Sequence, residues 1–361
     1  VPFVNAGHLN GREIAFDEMN YISKDKYEKL SSGKFQEGDI LYCLRGSIGK
    51  KAIVSTDIKG AIASSLVIIR PNSEKLYGEY LMLALESPAI KEQLTKANNG
   101  SSQPNLSAAS VREYEIELPE LLIQREVVEK LVKVRDIIDN RRQELQLLDD
   151  LIKARFVELF GDITTGSYKY ETKKLGDVAN VGSSHRVFTT EFVDSGIPFY
   201  RGTEIGELAN GLKPTKTYYI SEQHYNRLTS DDTKPQIGDL LMPSICNKGQ
   251  VWMVNTDEPF YYKDGRVLCI SPNKKIFNTK YLEYFMRAKT LIEYPKLGSG
   301  STFAEFKIFS VKDMDVLIPP REVQKRFADF VNQIDKSKVK VQKSLDETQC
   351  LFDSLMQKYF G

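Results

Sequence analysis

Few residues of this chain have the types and spacing that catalysis demands. Three histidines (His8, His185, His224) and four cysteines (Cys43, Cys246, Cys269, Cys350) are scattered, with no CxxC, His-x-His or HExxH among them. Zinc needs such ligands at close spacing, so no metal centre is expected. Transfer of a methyl group to adenine would call for an Asn-Pro-Pro-aromatic or Asp-Pro-Pro-Tyr sequence. Ile318-Pro319-Pro320 lacks the amide side chain. No GxGxxG follows a strand-like run, and no GxxxxGK(S/T) is present to cradle a nucleotide phosphate. Gly46-Ser47-Ile48-Gly49-Lys50 is half of such a loop, too short and without the hydroxyl residue after its lysine. The residues predict a protein without catalysis or cofactor.

What the chain does have is a repeat. Gly38-Asp39-Ile40-Leu41 returns as Gly238-Asp239-Leu240-Leu241, and Gly49 and Val54 return as Gly249 and Val254. Gly100-Ser101-Ser102 returns as Gly300-Ser301-Thr302, Ile116-Glu117-Leu118-Pro119 as Val316-Leu317-Ile318-Pro319, and Phe160-Gly161 as Phe360-Gly361. A period near 200 residues far exceeds that of a solenoid, so each copy is a domain with its own core. A chain of 361 residues, 41% hydrophobic and 27% charged, has material for two such cores. The net charge of +1 neither favours nor opposes a nucleic-acid partner. No apolar run approaches the roughly 18 residues of a membrane span. Val1 opens no charged-then-apolar leader, and the unpaired cysteines read as reduced thiols, so a cytoplasmic location is expected.

Each copy divides into a strand-rich and a helix-rich part. Short β-branched and aromatic runs bounded by turn residues read as strands at 38–44, 51–55, 61–70 and 114–118, and again at 237–242, 251–255, 266–271 and 314–318. A short helix interrupts each set, at 78–86 and 279–289, with Pro88 expected to end the first. After Pro119 the period changes: Leu131, Val134, Ile138, Leu145, Leu148, Ile152 and Leu159 follow 3-4 spacing, broken once by Arg141. Val331, Ile334, Val341, Leu345, Phe352, Leu355 and Tyr359 do the same after Pro319. These predict helices of roughly 38 residues, about 57 Å long, each needing a partner for its apolar seam. The other copy, antiparallel, is the expected partner, with Arg141 able to pair with a carboxylate across the seam. The polar run from Asp162 to Tyr170 reads as a linker, and a second sheet domain opens at Leu175-Gly176-Asp177-Val178. Val1-Pro2-Phe3-Val4 aligns with Ile197-Pro198-Phe199-Tyr200, so the opening strand of the second copy has no counterpart in the first.

The order of sheet domain, long helix, sheet domain, long helix resembles the specificity subunit of type I restriction-modification systems. The likeness rests on the Gly-Asp-aliphatic strands with their glycine loops and on Gly100 to Leu106 with its echo Gly300 to Phe303. Leu118-Pro119 to Gln124, repeated as Ile318-Pro319 to Gln324, and Lys174-Leu175-Gly176-Asp177-Val178 complete it. The second copy departs by losing the Gln103-Pro104-Asn105 sequence. The resemblance implies an α+β protein of two tandem target-recognition domains with mixed or antiparallel sheets. Each is followed by a long helix, and the two helices pack as an antiparallel coiled coil. The domains would be 1–118 and 162–318, the helices 119–161 and 319–361. The implied function is to read a bipartite double-stranded DNA target while scaffolding two methyltransferase subunits and a restriction-translocase subunit, without chemistry or membrane attachment of its own. A stand-alone nuclease or methyltransferase with a divergent site, and a homodimeric coiled-coil adaptor, are the alternatives.

Reading bases takes Arg or Lys for guanine and Asn or Gln for adenine, projected from loops. Arg45, Lys50 and Lys51 flank the first glycine loop; Asn247, Lys248 and Gln250 occupy the corresponding loop of the second copy. Asn99, Ser101, Ser102 and Gln103 form a polar stretch without apolar residues. Ser184, Arg186, Arg201 and Thr203 make a fourth set. The aromatic clusters Tyr218-Tyr219 and Phe260-Tyr261-Tyr262 could stack on bases, but core packing is their commoner use.

Overall fold

The computed structural model describes residues 1–55, 57–97, 106–231, 233–297 and 304–361. The chain forms two compact units: Val1–Leu145 with Lys340–Gly361, and Gln146–Val339. The α+β class holds in both.

In the first unit, strand Ile40–Cys43 lies between Lys51–Ile53 and Leu66–Ile69, antiparallel to each. Side chains alternate across a strand, and here both faces are covered. Leu41 and Cys43 join Val4, Leu9, Phe35 and Val54, whereas Ile40 and Tyr42 join Leu81, Met82 and Leu85. A second, mixed sheet orders Asn20–Tyr21, Pro2–Val4, Gly60–Ile62 and Lys34–Phe35, its parallel pair matching Phe3 with Ala61. The second unit repeats the plan. Leu240–Pro243 lies between Trp252–Met253 and Val267–Pro272, and Ala179–Gly182 adds a fourth strand beyond the latter. Its mixed sheet pairs Ile197–Tyr200 in parallel with Tyr261–Tyr262.

The repeated Gly-Asp has one local cause. Gly38 and Gly238 take φ of 82° and 92°, which side-chain-bearing residues rarely adopt. The next carboxylate turns back: Asp39 accepts the Gln36 amide at 2.8 Å, and Asp239 the Gln236 amide at 2.8 Å. The copies then differ. Arg70 grips Asp39 through Nε and Nη2, both at 2.7 Å. Asp239 faces the Cys269 thiol at 3.8 Å instead, and burial holds its carboxyl above the usual range.

Long helices run Leu121–Phe160 and Arg321–Phe360, 40 residues and so about 60 Å each. In the first unit Val127, Val128 and Leu131 near the start of one helix pack with Met356 and Phe360 at the end of the other, over Tyr80 and Leu83. In the second unit Phe156 and Phe160 pack with Phe327 and Val331, over Tyr281 and Phe285. Start meets end in both, so the pairing is antiparallel.

Five local expectations change. Arg141 bonds Glu144 of its own helix at 2.8 Å, because a carboxylate three residues on lies within reach. Pro88 opens a helix, Pro88–Ala97, whose first turn Ser87 caps through the Ile90 amide; the preceding helix has already ended at Ala84. The run 61–70 splits between two sheets, as Gly60–Ile62 and Leu66–Ile69. Residues 162–170 are no simple linker: Gly161–Asp162 pairs antiparallel with Ser167–Tyr168, and Tyr168 and Tyr170 pack on the core. Segment 314–318 forms a strand, Asp315–Leu317, because Thr172–Lys174 bonds to it. Among the described residues 114–118 has no such partner and no strand forms.

Candidate nucleic-acid interface

Arg45 and Lys50 sit in the hairpin loop joining Ile40–Cys43 to Lys51–Ile53. Glycines at φ 77° (Gly46) and 82° (Gly49) turn the backbone, and the buried Cys43 thiol ties the loop to the Arg45 carbonyl at 3.0 Å. Arg45 is exposed. Lys50 reaches back to the Ala6 carbonyl at 3.1 Å. Lys51 points inward: its side chain is 8% exposed, with its ammonium 3.6 Å from Glu86. Burial lowers its pKa, and Glu86 opposes the shift. Asn99, Ser101, Ser102 and Gln103 lie outside the described residues, as do 300–303 of the second copy.

The second unit brings one expected set together and sets one residue of another beside it. Tyr200 pairs with Tyr262, and the Lys263 amide bonds the Tyr200 carbonyl at 2.9 Å, so Arg201 emerges beside the turn 263–266. The loop after Gly182 lies along that same turn. Ser184 donates to the Tyr262 carbonyl at 2.6 Å, and Arg186 bonds Asp264 at 3.1 Å. Arg201 and Thr203 flank the N-terminus of helix Gly202–Ala209. Farther along that helix, a side chain at Gly206 would lie 3.7 Å from Gln250. Asn247 and Lys248 are exposed on the hairpin beyond, where Gln250 accepts the Lys248 amide at 3.0 Å. Cys246 anchors this hairpin through the Gln250 carbonyl, its thiol pushed up to about 11 by burial. Ser184 and Arg186 therefore lie along the 262–266 segment beside Arg201, and Gln250 lies beside the helix that Arg201 and Thr203 open.

The cations of this surface are held by acids. Glu204 takes Nη2 of Arg201 at 2.8 Å and Nε at 3.2 Å, while the guanidinium lies 4.2 Å from the Tyr218 ring centre. Burial opposes ionisation of Glu204, but the Arg201 hydrogen bonds outweigh it and keep its carboxyl below the usual range. Such a fork is fixed in direction before any ligand arrives. Two further cations share the turn and were not anticipated: Lys263, 3.0 Å from Asp264, and Arg266, 2.7 Å from Glu305. Only the Lys263-Asp264-Gly265-Arg266 turn composition marked them. Asn5 is the counterpart of Arg201, legible by continuing the match of Val1–Val4 with Ile197–Tyr200; its side chain accepts the Gly7 amide at 2.8 Å. Tyr261, Tyr262 and Phe260 are buried, so that aromatic cluster is core. Among the described residues, no group of three or more His, Cys, Asp or Glu is placed to hold a metal ion.

Comparison with known proteins bears on both units at once. Residues 1–149 and 168–348 match the model of the type I restriction modification DNA specificity domain. The chain belongs to that family. The MjaIX specificity subunit of Methanocaldococcus jannaschii is 23% identical over 99% of this chain and 85% of its own length. A putative specificity subunit of Haemophilus influenzae is 23% identical over 87% of this chain and 80% of its own. Among solved structures, a chain from work on complex assembly and conformational transition of the type I R-M system has a TM-score of 0.62. It is 20% identical, with 99% of this chain and 90% of that one covered. The S subunit from M. genitalium gives 0.56 at 14% identity, covering 100% of this chain and 88% of its own. At these identities the structural likeness speaks for the fold. No helix of the described residues is long and apolar enough to cross a membrane.

Proposed function

We propose that this chain is the DNA-sequence specificity subunit of a type I restriction-modification complex, a non-catalytic cytoplasmic scaffold. The observation that carries the reading is the duplication: two sheet units with the same hairpin, each seated on antiparallel long helices, with the family match extending over both. Residues 1–118 and 162–318 act as target-recognition domains, and 119–161 and 319–361 as the spacer helices between them. Each domain reads one half of a split target. Half-sites one duplex turn apart lie about 34–36 Å centre to centre, which helices of about 60 Å can bridge.

Arg45, Lys50, Asn247 and Lys248 are taken as hairpin contacts, and Ser184, Arg186, Arg201, Thr203 and Gln250 as the second domain's reading surface. Asn99, Ser101, Ser102 and Gln103 are kept as contacts of the first domain. Lys51 is assigned to the same hairpin, where it braces the strand through Glu86. Phosphate contacts will outnumber base contacts among these. Two methyltransferase subunits dock on the helices, one for each copy of the repeat, and a restriction-translocase subunit joins them.

A binding selection tests the reading. The chain assembled with its methyltransferase subunit is equilibrated with a randomised duplex library, and bound DNA is sequenced. Enrichment of one split motif is expected; retention of random duplex as well as every library member overturns it.

A further inference from the structure

The sequence places one glutamine at the same point in each copy, and both are fully buried, at 0% exposure. Gln124 Oε1 accepts the Tyr77 amide at 2.8 Å, and its Nε2 donates to the carbonyls of Lys75 at 2.8 Å and Pro119 at 2.7 Å. Gln324 repeats the set: Oε1 accepts the Asn278 amide at 2.7 Å, and Nε2 donates to Ile276 at 2.9 Å and Pro319 at 2.8 Å. Both amide protons and one carbonyl lone pair are used each time. A carboxylate of the same shape would turn an acceptor onto two carbonyls, so glutamate cannot replace it. A second bond runs parallel in each unit. Tyr80 donates to the Glu117 carbonyl at 3.1 Å and Tyr281 to the Leu317 carbonyl at 3.2 Å.

The three backbone points gripped by each glutamine belong to different parts. Lys75 and Tyr77 lead into helix Gly78–Ala84, which packs on the sheet, and Pro119 leads into the long helix. The second unit matches, with Ile276 and Asn278 ahead of Thr279–Glu293 and Pro319 ahead of Arg321–Phe360. Apolar packing is non-directional and lets one surface turn on another. A buried amide with three fixed partners does not, because any rotation strands a polar group without water. Each glutamine is therefore an angular lock between a sheet domain and its own long helix.

Accepting the DNA-specificity reading, we infer that Gln124 and Gln324 are positioning residues that set which half-site spacing is accepted. A domain about 30 Å across that turns by about 10° on its helix moves its far edge by about 5 Å. That exceeds the roughly 3.4 Å between successive base pairs. Losing the lock admits neighbouring spacings while the bases read within each half-site stay the same.

The test uses the chain assembled with its methyltransferase subunit, and a DNA library in which the two selected half-sites are separated by every spacing from zero to twelve base pairs (on the order of one duplex turn). Wild type is expected to modify one spacing. Gln124→Leu and Gln324→Leu are each expected to raise modification at the adjacent spacings, relative to the preferred one, by about tenfold, with half-site sequences unchanged. Gln124→Glu should behave as Gln124→Leu does. Should the glutamine variants fail to assemble, Tyr80→Phe and Tyr281→Phe remove the parallel bond alone and should broaden spacing less. Unchanged spacing preference, or a uniform fall at every spacing, assigns the glutamines to stability alone and overturns the inference. Wild type that selects no half-sites at all overturns the underlying reading, and the inference with it.

Discussion

Asp39 and Asp239 occupy the same turn and should answer differently to the same substitution. Asp39→Asn takes away the partner of Arg70, half-exposed, and should cost about 1 kcal/mol in a denaturant titration. Among the described residues Asp239 has no cation in direct contact, and the more distant Lys274 only partly offsets its burial. Its raised folded pKa means that protonation favours the fold: the contribution is full below the unfolded carboxylate pKa and is lost as pH rises through the folded value. Asp239→Asn should therefore leave stability at neutral pH unchanged or higher. Asp231 has the opposite sign. Hydrogen bonds from Thr233 and then His185 lower it to about 2, so its stabilisation is present above the ordinary carboxylate range and is lost as pH falls through about 2. A carboxyl-carbon NMR titration checks this, and a midpoint near 4 would contradict it. At this scale the sequence was informative about which loops are polar and silent about which cations are already committed. Arg186 meets Asp264 and Arg266 meets Glu305 across 78 and 39 positions, separations at which no local pattern pairs them.

Strands and long helices were legible because burial imposes periods of 2 and 3.6 on them. The strand at 40–43 is buried on both faces and reads as a continuous apolar run; the helix seam reads as heptads. Two short elements were misread where local chemistry overrides period. A proline both ends and opens helices, and only the Ser87 cap decides which at Pro88. The polar run after Gly161 folds as a ribbon because Gly161 takes φ of 94° beside Ser167, where a Cβ would lie 2.1 Å from the carbonyl oxygen. Gly161→Ala should lose roughly 1–3 kcal/mol in thermal or denaturant unfolding. Phe160, buried with Tyr281 at 4.8 Å between ring centres, closes the second unit's core. Phe160→Ala should cost about 3–5 kcal/mol, and a loss under 1 kcal/mol would contradict that packing.

The duplication was legible for the whole molecule because a repeat in order and register survives when individual residues do not. It implied the tandem units and the antiparallel helices, and the family match runs over both copies. The inequality of the copies was legible too: Ala179–Gly182, from the opening segment without a counterpart in the first copy, makes the sheet around Leu240–Pro243 four-stranded, against three strands around Ile40–Cys43. If the chain addresses its partners to DNA through local basic surfaces on a nearly neutral whole, affinity of the assembled complex should fall linearly on log axes with salt. The most direct measurement maps modified bases across a whole genome methylated by the assembled complex. The account predicts one motif of two specified half-sites at a single spacing, with replacement of residues 162–318 changing one half-site only. Modification without a motif, or at one undivided sequence, would contradict it.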